Sequence, residues 1–179
     1  MLTPYSSRPL FYICLIAIFF ACNPSEQERS PLYQDASASI DDRVDDLLEK
    51  MTLQEKVAQV MCLWQEKRSF LDGEGIFSID IAAVALLYGM GQIGRPSEKR
   101  NAKEMAEFTN EIQKYFLEET RLGIPVIFHE ECLHGHAAPD GTHYPQPIGL
   151  ASTWDRQLVE NIFTATAKEA RLRGASQAL

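Results

Sequence analysis

The segment Ile-Pro-Val-Ile-Phe at residues 124–128 restricts the fold of this chain more than any other segment. It is short, apolar and rich in β-branched residues, which is typical of a strand buried on both faces of a sheet. A similar short segment lies around Gln92–Gly94, and sequence with helical periodicity separates and follows the two. Strands that alternate with helices indicate an α/β fold with a parallel sheet.

Helix signals are present on both sides of these strands. Thr52 and Glu55 form a capping box, so a helix begins there. Gly123 stands where a glycine commonly ends a helix. The first of these helices should carry on its inner face Val57, Val60 and Met61. The other predicted helices cover residues 41–51, 78–88, 101–122 and 155–173, and the predicted loops cover residues 65–77 and 129–153.

Two of the helices carry an apolar stripe that should face the sheet. The stripe of the helix before Gly123 comprises Met105, Phe108, Ile112, Tyr115 and Phe116. The stripe of the last helix comprises Leu158, Ile162, Phe163 and Ala167. The apolar residues 175–179 that follow this helix predict the start of another strand.

The number of predicted strands is too small for a complete domain of this type. Two or three parallel strands need further strands at their edges, and a (β/α)8 barrel typically takes about 250 residues. The chain has 179 residues. We therefore expect an α/β domain that is incomplete in this chain or is completed by another chain.

The first 21 residues have the layout of a signal peptide. Arg8 precedes the apolar segment Leu10–Ala21, which is too short to span a bilayer comfortably. Phe19–Cys22 resembles a bacterial lipobox, with Phe19 where leucine is usual. We expect an exported protein, periplasmic or on the cell surface, that is anchored to a membrane through a lipidated Cys22.

Composition restricts the rest of the chain. Residues 22–40 are rich in serine, proline and glutamine and predict a flexible tether, so the folded domain should span residues 41–179. The net charge of −8 argues against nucleic acid as a partner, because phosphate binding needs a basic surface. Cys62 and Cys132 lie in apolar sequence without CxxC spacing, which predicts two buried thiols and no disulfide scaffold.

The segment Phe-His-Glu-Glu-Cys-Leu-His-Gly-His at residues 128–136 combines acids and histidines at the end of the predicted strand. Loops at the carboxyl ends of parallel strands carry the functional residues of such folds. Adjacent residues of a strand point in opposite directions, so Glu130 and Glu131 should not share one site. One glutamate should face the pocket, and the other should turn toward neighbouring backbone or an arginine.

Three functions compete for this segment. A zinc site would use His129, His134 and His136, but the pattern is not H-E-x-x-H and no helix supports the spacing. A catalytic carboxylate pair needs a separation of about 5–9.5 Å across a glycosidic bond, which neighbours on opposite faces do not supply. In a sugar-binding site, a carboxylate accepts charge-assisted hydrogen bonds from two vicinal hydroxyls.

Sugar binding is the interpretation that one inward-facing glutamate with flanking histidines fits best. Glu131 is then the candidate acceptor, and His134 and His136, which shape its loop, complete the predicted substrate-binding set. Glu130 and His129 are interpreted as supporting structure. His143, the fourth histidine of the chain, more simply satisfies buried backbone groups of a long loop.

Several segments resemble the N-terminal domain of glycoside hydrolase family 3 and occur in the family's order. They lie within residues 41–179 and read RVDDLLEKMTLQEKVAQV, GMGQI, TRLGIPVIFHEECLHGH, YPQPIGLASTWD and AKEARLRGA. The resemblance implies the N-terminal part of a (β/α)8 barrel that a second α/β domain follows. It also implies retaining, exo-acting hydrolysis of β-glucosides, β-xylosides and related oligosaccharides, with no metal and no cofactor.

The resemblance assigns Glu131 to the acidic position that binds hydroxyls of the sugar being cleaved. Most β-glucosidases of the family have aspartate there, and the glutamate resembles the β-xylosidase branch. The extra methylene would fill the space that a glucose hydroxymethyl group occupies. A methylene discriminates between substrates by about 1–3 kcal/mol, so we expect a preference for xylosides over glucosides.

The resemblance implies that the family's nucleophile and acid/base residue lie beyond residue 179. Asp140 and Asp155 are candidates by residue type only, because a Pro-Asp-Gly turn and a helix N-cap explain them. We therefore expect an oligosaccharide-cleaving enzyme of which this fragment is inactive alone and needs the C-terminal part of the barrel. The competing hypothesis is a non-catalytic sugar-binding lipoprotein.

Overall fold

The structure is a computed structural model that describes residues 30–179. The predicted signal peptide, lipobox and Cys22 lie outside the described residues. Within residues 30–179, no helix has the length and apolar character needed to cross a membrane. The described residues divide between two units, residues 30–49 and residues 50–179.

The described part of the first unit is short. A 3-10 turn at Leu32–Gln34 precedes helix α1, which spans Ile40–Lys50 and confirms the first predicted helix. The Arg43 guanidinium donates to the Tyr33 carbonyl oxygen at 2.9 Å. Tyr33, within the predicted tether, is therefore hydrogen-bonded to the helix that follows it.

The second unit alternates helices with four short strands. In chain order its elements are α2 (Leu53–Gln59), β1 (Cys62–Leu63), a 3-10 segment (Gln65–Phe70), α3 (Ile79–Ala85), β2 (Gln92–Gly94), α4 (Ala102–Glu118), β3 (Ile127–Glu130), α5 (Pro147–Ala151), α6 (Arg156–Leu172) and β4 (Gln177–Ala178). The strands are all parallel, and their order in the sheet is their order in the chain. In a doubly wound sheet the strand order changes direction part-way through the sheet. In a barrel each new strand is added beside the preceding one, always in the same direction around the barrel. The predicted α/β class is confirmed, and the sheet is of the kind that begins a barrel.

Local capping signals decide where the main helices begin. Capping boxes start both α2, at Thr52 with Glu55, and α4, at Asn101 with Glu104. The Asp155 carboxylate accepts from the Leu158 N–H at 3.0 Å and caps α6, as predicted. These caps satisfy backbone N–H groups that have no partner inside the helix.

One apolar cluster fills the space between the sheet and helices α3 and α4. Its buried members are Phe70, Ala82, Leu86, Met90, Ile93, Phe108, Ile112, Tyr115, Phe116, Val126 and Phe128. Each large side chain of this kind stabilises the fold by about 1.5–3 kcal/mol when fully buried. All five residues of the predicted α4 stripe are buried, so this prediction is confirmed.

The predicted stripe of α6 is wrong at three of its four positions. Ile162 is buried, but exposed positions are held by Leu158, Phe163 and Ala167. The buried face instead consists of Ile162, Thr166 and Ala170. The Thr166 hydroxyl donates to the Ile162 carbonyl oxygen at 2.9 Å, so a residue that reads as polar is satisfied inside the helix.

The predicted inner face of α2 is also wrong. The exposed fractions are 48% for Val57, 86% for Val60 and 47% for Met61. Helical spacing does not apply to the last two, because α2 ends before them. The buried positions of α2 belong to Glu55 and Ala58.

Strand β1 has no counterpart in the sequence-based prediction. It is two residues long and pairs with β2 through Cys62 opposite Gln92 and Leu63 opposite Ile93. Cys62 is exposed there, whereas Cys132 is buried, and neither is in a disulfide. The prediction of two buried thiols is therefore right for Cys132 and wrong for Cys62.

Strand β3 begins three residues later than the predicted strand 124–128. The Gln113 side-chain amide donates to the Val126 carbonyl oxygen at 2.7 Å and accepts from the Val126 N–H at 3.1 Å. These two backbone groups are therefore not available for pairing in the sheet. Ile127 is 43% exposed, which corrects the expectation of a strand buried on both faces. The predicted loop 129–153 starts after Glu130 and contains the short helix α5.

Candidate functional site

The carboxyl ends of the parallel strands meet at one edge of the sheet. Trp64 directly follows β1, Arg95 directly follows β2, and Glu131 directly follows β3. In barrel enzymes this edge carries the active site. The segment from Glu131 to Gln146 is the longest connection at this edge, and we call it the β3 loop.

Glu130 lies in the protein interior. Its side chain is 0% exposed, and one carboxylate oxygen, Oε1, accepts from the Ser97 N–H at 2.7 Å. The other oxygen, Oε2, lies 3.7 Å from Nε2 of His136, whose ring is also 0% exposed. Burial alone would raise the pKa of Glu130, but His136 and Ser97 together hold this pKa below its usual range. As the strand alternation predicts, one glutamate turns toward neighbouring backbone.

Glu131 has a different environment. It is half-buried, and no hydrogen bond holds its carboxylate among residues 30–179. Its backbone carbonyl accepts from the Ala137 N–H at 3.1 Å, which folds the β3 loop back on itself. The two adjacent glutamates therefore differ, because one carboxylate is engaged in the core and the other is available at the strand end.

The β3 loop makes close contacts within itself. Gly135 has a φ of +103°, and a Cβ at this position would lie 2.0 Å from the Thr142 carbonyl oxygen. The His134 carbonyl accepts from the Tyr144 N–H at 2.8 Å. The His134 ring is half-buried, and its centroid lies 6.1 Å from that of His143.

Helix α6 holds the far part of the β3 loop. Arg173, at the end of α6, donates to the carbonyl oxygens of Pro139 at 2.8 Å and Asp140 at 3.0 Å. The same guanidinium pairs with Glu169 at 2.8 Å, and the Glu169 carboxylate also accepts from the Thr142 N–H. Asp140 has a φ of +60°, which agrees with the turn predicted for it.

His129 is part of the sheet and not of the β3 loop. Its Nδ1 lies 3.2 Å from Oε1 of Gln92 on β2. Its ring covers Gly94, where a Cβ would lie 2.6 Å from Nε2. The sequence places His129, His134 and His136 within eight residues, but the structure gives them three separate environments.

The histidine-rich segment does not form a metal site in this structure. Among residues 30–179, no group of three or more histidine, cysteine, aspartate and glutamate side chains is placed to hold a metal ion. The zinc interpretation of the segment therefore has no geometric support.

Sequence reasoning missed two side chains at this edge. The Arg95 guanidinium carbon lies 5.6 Å from the centroid of the Trp64 ring, which is 43% exposed. Arg95 lines both a cleft of about 1140 Å³ with Trp64 and a cleft of about 350 Å³ with His143. The signal was position directly after a strand. It was available for Arg95, which follows the predicted strand around Gln92–Gly94, but not for Trp64, because β1 was not predicted. Neither cleft is lined by Glu131, His134 or His136.

Comparison with known protein families decides the assignment. The family model described as the glycosyl hydrolase family 3 N-terminal domain matches residues 52–179 of this sequence. This chain belongs to glycoside hydrolase family 3. The family-3 resemblance predicted from the sequence segments is therefore confirmed, and so is the barrel-type α/β fold.

Family-3 relatives have glycosidase names. A protein from Formosa agariphila, provisionally named a β-xylosidase, is 36% identical over 92% of this chain and 22% of its own length. A periplasmic β-glucosidase/β-xylosidase of Dickeya chrysanthemi is 30% identical over 82% of this chain and 24% of its own length. A solved β-glucosidase structure from Erythrobacter marinus superposes with a TM-score of 0.69 at 31% identity, covering 84% of this chain and 19% of that one. The chain thus spans about a fifth to a quarter of the length of these relatives.

Proposed function

We propose that this chain forms the sugar-binding half of the active site of a retaining exo-β-glycosidase. The observation that carries the proposal is the position of Glu131, half-buried and without a hydrogen-bond partner for its carboxylate among residues 30–179, at the carboxyl end of β3. Family-3 membership supports hydrolysis of O-glycosidic bonds in oligosaccharides. Charge-assisted hydrogen bonds from two vicinal hydroxyls to this carboxylate would orient the sugar.

The side-chain length of Glu131 favours xylosides over glucosides. Glutamate reaches one methylene further than aspartate and takes space at the position of a glucose hydroxymethyl group. The effect of one methylene is about 1–3 kcal/mol, so the proposal is a preference and not an exclusion.

The reacting carboxylates belong, in this proposal, to the rest of the barrel. Retaining hydrolysis needs a nucleophile and an acid/base about 5–5.5 Å apart. Asp155 caps α6, and Asp140 lies in a turn whose carbonyl Arg173 holds, so both have structural roles. The isolated chain should therefore bind sugar without cleaving it, and the intact enzyme, meaning this chain joined to the remainder of its barrel, should be active.

We also propose that the intact enzyme is exported and held at a membrane by a lipid on Cys22. The apolar segment after Arg8 and the residues that lead to Cys22 support this. Replacement of Cys22 by alanine should release the protein from the membrane fraction, and continued partitioning with membranes would contradict the lipid anchor.

Kinetics of the intact enzyme test the proposed function. Glu131→Ala should lower kcat/KM for aryl β-xylosides. The decrease should correspond to a loss of about 2–4 kcal/mol of transition-state stabilisation, because the charge-assisted hydrogen bonds from the two hydroxyls are lost. Glu131→Asp should raise the ratio of glucoside to xyloside activity by about tenfold or more. Glu160→Asp makes the same change in an exposed carboxylate of α6 and should leave the ratio unchanged. An unchanged ratio in Glu131→Asp would contradict the assigned specificity.

The second candidate function is non-catalytic sugar capture. It is favoured by the structural roles of Asp140 and Asp155, which leave the described residues without an assigned reacting carboxylate. Calorimetric titration of the purified native protein with xylose and xylobiose, followed by product analysis, separates the two candidates. Binding without release of xylose by the intact protein would establish capture, and release of xylose would establish the glycosidase.

A further inference from the structure

The interior of the site contains a carboxylate and an imidazole that face each other. Glu130 and His136 are both 0% exposed, and Oε2 lies 3.7 Å from Nε2. Neither Oε2 nor either ring nitrogen of His136 has a hydrogen-bond partner among the described residues. Buried polar atoms are almost always paired in folded proteins, so two that face each other call for an explanation.

The geometry points to direct contact between the two groups. A water about 2.8 Å from both atoms would bond them at an angle of only about 80°, well below the tetrahedral angle, so the 3.7 Å separation disfavours a bridging water. A direct hydrogen bond requires the two atoms to approach by less than about 1 Å, because such bonds are about 2.7–3.2 Å long. The Ser97 N–H donates to the other carboxylate oxygen, Oε1, and leaves Oε2 to face His136.

The pair connects two loops at the functional edge of the sheet. Ser97 belongs to the segment after β2, is 1% exposed, and is held by Oε1 of Glu130. His136 belongs to the β3 loop, five residues after Glu131. Arg173 holds the same loop at Pro139 and Asp140, and the Cys132 N–H donates to the Leu179 carbonyl oxygen at 3.0 Å. Between these two anchors, the pair links the β3 loop to the segment after β2.

We propose that Glu130 and His136 are positioning residues, whose buried contact holds the first part of the β3 loop and thereby the carboxylate of Glu131. The inference rests on the proposed role of Glu131 in sugar binding. It assigns no contact with substrate to either member of the pair, because both side chains are 0% exposed; for His136 this replaces the substrate-binding role expected from the sequence. Its physical basis is that misplacement of a binding group by about 1 Å can reduce the rate by about a hundredfold.

Hydrogen exchange tests the positional part without reference to activity. His136→Phe keeps a buried ring and removes Nε2, and His136→Gln places an amide nitrogen near the position of Nε2. We expect faster exchange at residues 131–138 and at Ser97 in His136→Phe, with most of the protection restored in His136→Gln. Glu118→Gln, in an exposed carboxylate of α4, is the control and should change neither region.

Two exchange results would overturn the inference. One is unchanged exchange at residues 131–138 in His136→Phe. The other is an equal increase in α4 and α6, since this reports global loss of stability and not release of the β3 loop. If His136→Phe does not fold, Glu130→Leu, which removes the carboxylate from the same contact, is measured against the same criteria.

A kinetic cycle in the intact enzyme tests the consequence for Glu131. His136→Phe should lower kcat/KM for xylosides by about tenfold to a hundredfold, and His136→Gln should recover most of this loss. In a Glu131→Ala background, His136→Phe should have almost no further effect, because the group it positions is absent. Equal losses in both backgrounds would overturn the positioning role. If the intact protein cleaves neither xylosides nor glucosides, the proposed function fails. The exchange experiment still tests whether Glu130 and His136 hold the β3 loop, because it does not depend on activity.

Discussion

At the scale of single residues, the backbone conformation at position 135 explains why a glycine lies between His134 and His136. Its φ of +103° is costly for residues with a Cβ, and that Cβ would meet the Thr142 carbonyl oxygen at 2.0 Å. Left-handed backbone costs about 1–2 kcal/mol in other residues, and overpacking adds about 1–3 kcal/mol. We expect Gly135→Ala to lower the free energy of unfolding by about 2–5 kcal/mol in urea titrations.

Substitutions at two other glycines allow the backbone strain and the steric contact to be measured separately. Gly75 has a φ of +84° but no atom within 4 Å of a Cβ, so Gly75→Ala should cost only the backbone strain. Gly73 has neither constraint, and Gly73→Ala should stay within about 1 kcal/mol of the wild type. If Gly135→Ala costs no more than Gly75→Ala, the contact with Thr142 does not limit this position.

Residue-level prediction succeeded where a local rule applied. The opposite directions of neighbouring strand residues predicted that Glu130 and Glu131 would separate, and the burial of Glu130 agrees. The partner of Glu130 could not be predicted, because Ser97 lies 33 residues away in the chain. The role of Glu131 in binding stays a prediction.

At the scale of elements, α2 illustrates a helix start that also carries an ion pair. Glu55 accepts from the Thr52 N–H at 2.8 Å and from Nε of Arg121 at 2.9 Å. Mainly through the hydrogen bond from Arg121, its pKa falls to about 2 from 4.5. The folded state therefore binds this proton less tightly than the unfolded state, and Glu55 stabilises the fold fully above about pH 4.5.

The pH dependence of Glu55→Gln follows from this sign. Near neutral pH the variant should be less stable by about 1–2 kcal/mol, because Arg121 is half exposed and solvent screens the pair. The difference should shrink as the pH falls from about 4.5 toward 2, measured by urea unfolding at a series of pH values. Glu104→Gln changes the same position of the α4 capping box and should cost less at neutral pH. A difference that does not depend on pH would contradict the assignment.

At the scale of the whole molecule, the fold class followed from the alternation of helices and short apolar strands. The sheet order confirms it, but β1 was missed because two residues carry no periodic signal. Its position depends on pairing with β2, at Cys62–Gln92 and Leu63–Ile93, which no local pattern encodes. The predicted start of β3 was wrong for a similar reason, since the Gln113 side chain is hydrogen-bonded to the backbone of Val126. Non-local contacts of this kind also decide which face of α6 is buried.

The two faces of β3 allow a test of the proposed barrel. Ile127 is 43% exposed on one face, and Phe128 is 0% exposed on the other. In a closed barrel, side chains on the inner face pack against those of the other strands. Ile127→Thr should therefore change the stability of the isolated chain by less than about 0.5 kcal/mol and lower that of the intact enzyme by at least about 1 kcal/mol. Phe128→Leu is the control and should cost a similar amount in both, measured by urea unfolding. An equally small effect of Ile127→Thr in both would mean that the rest of the protein does not cover this face.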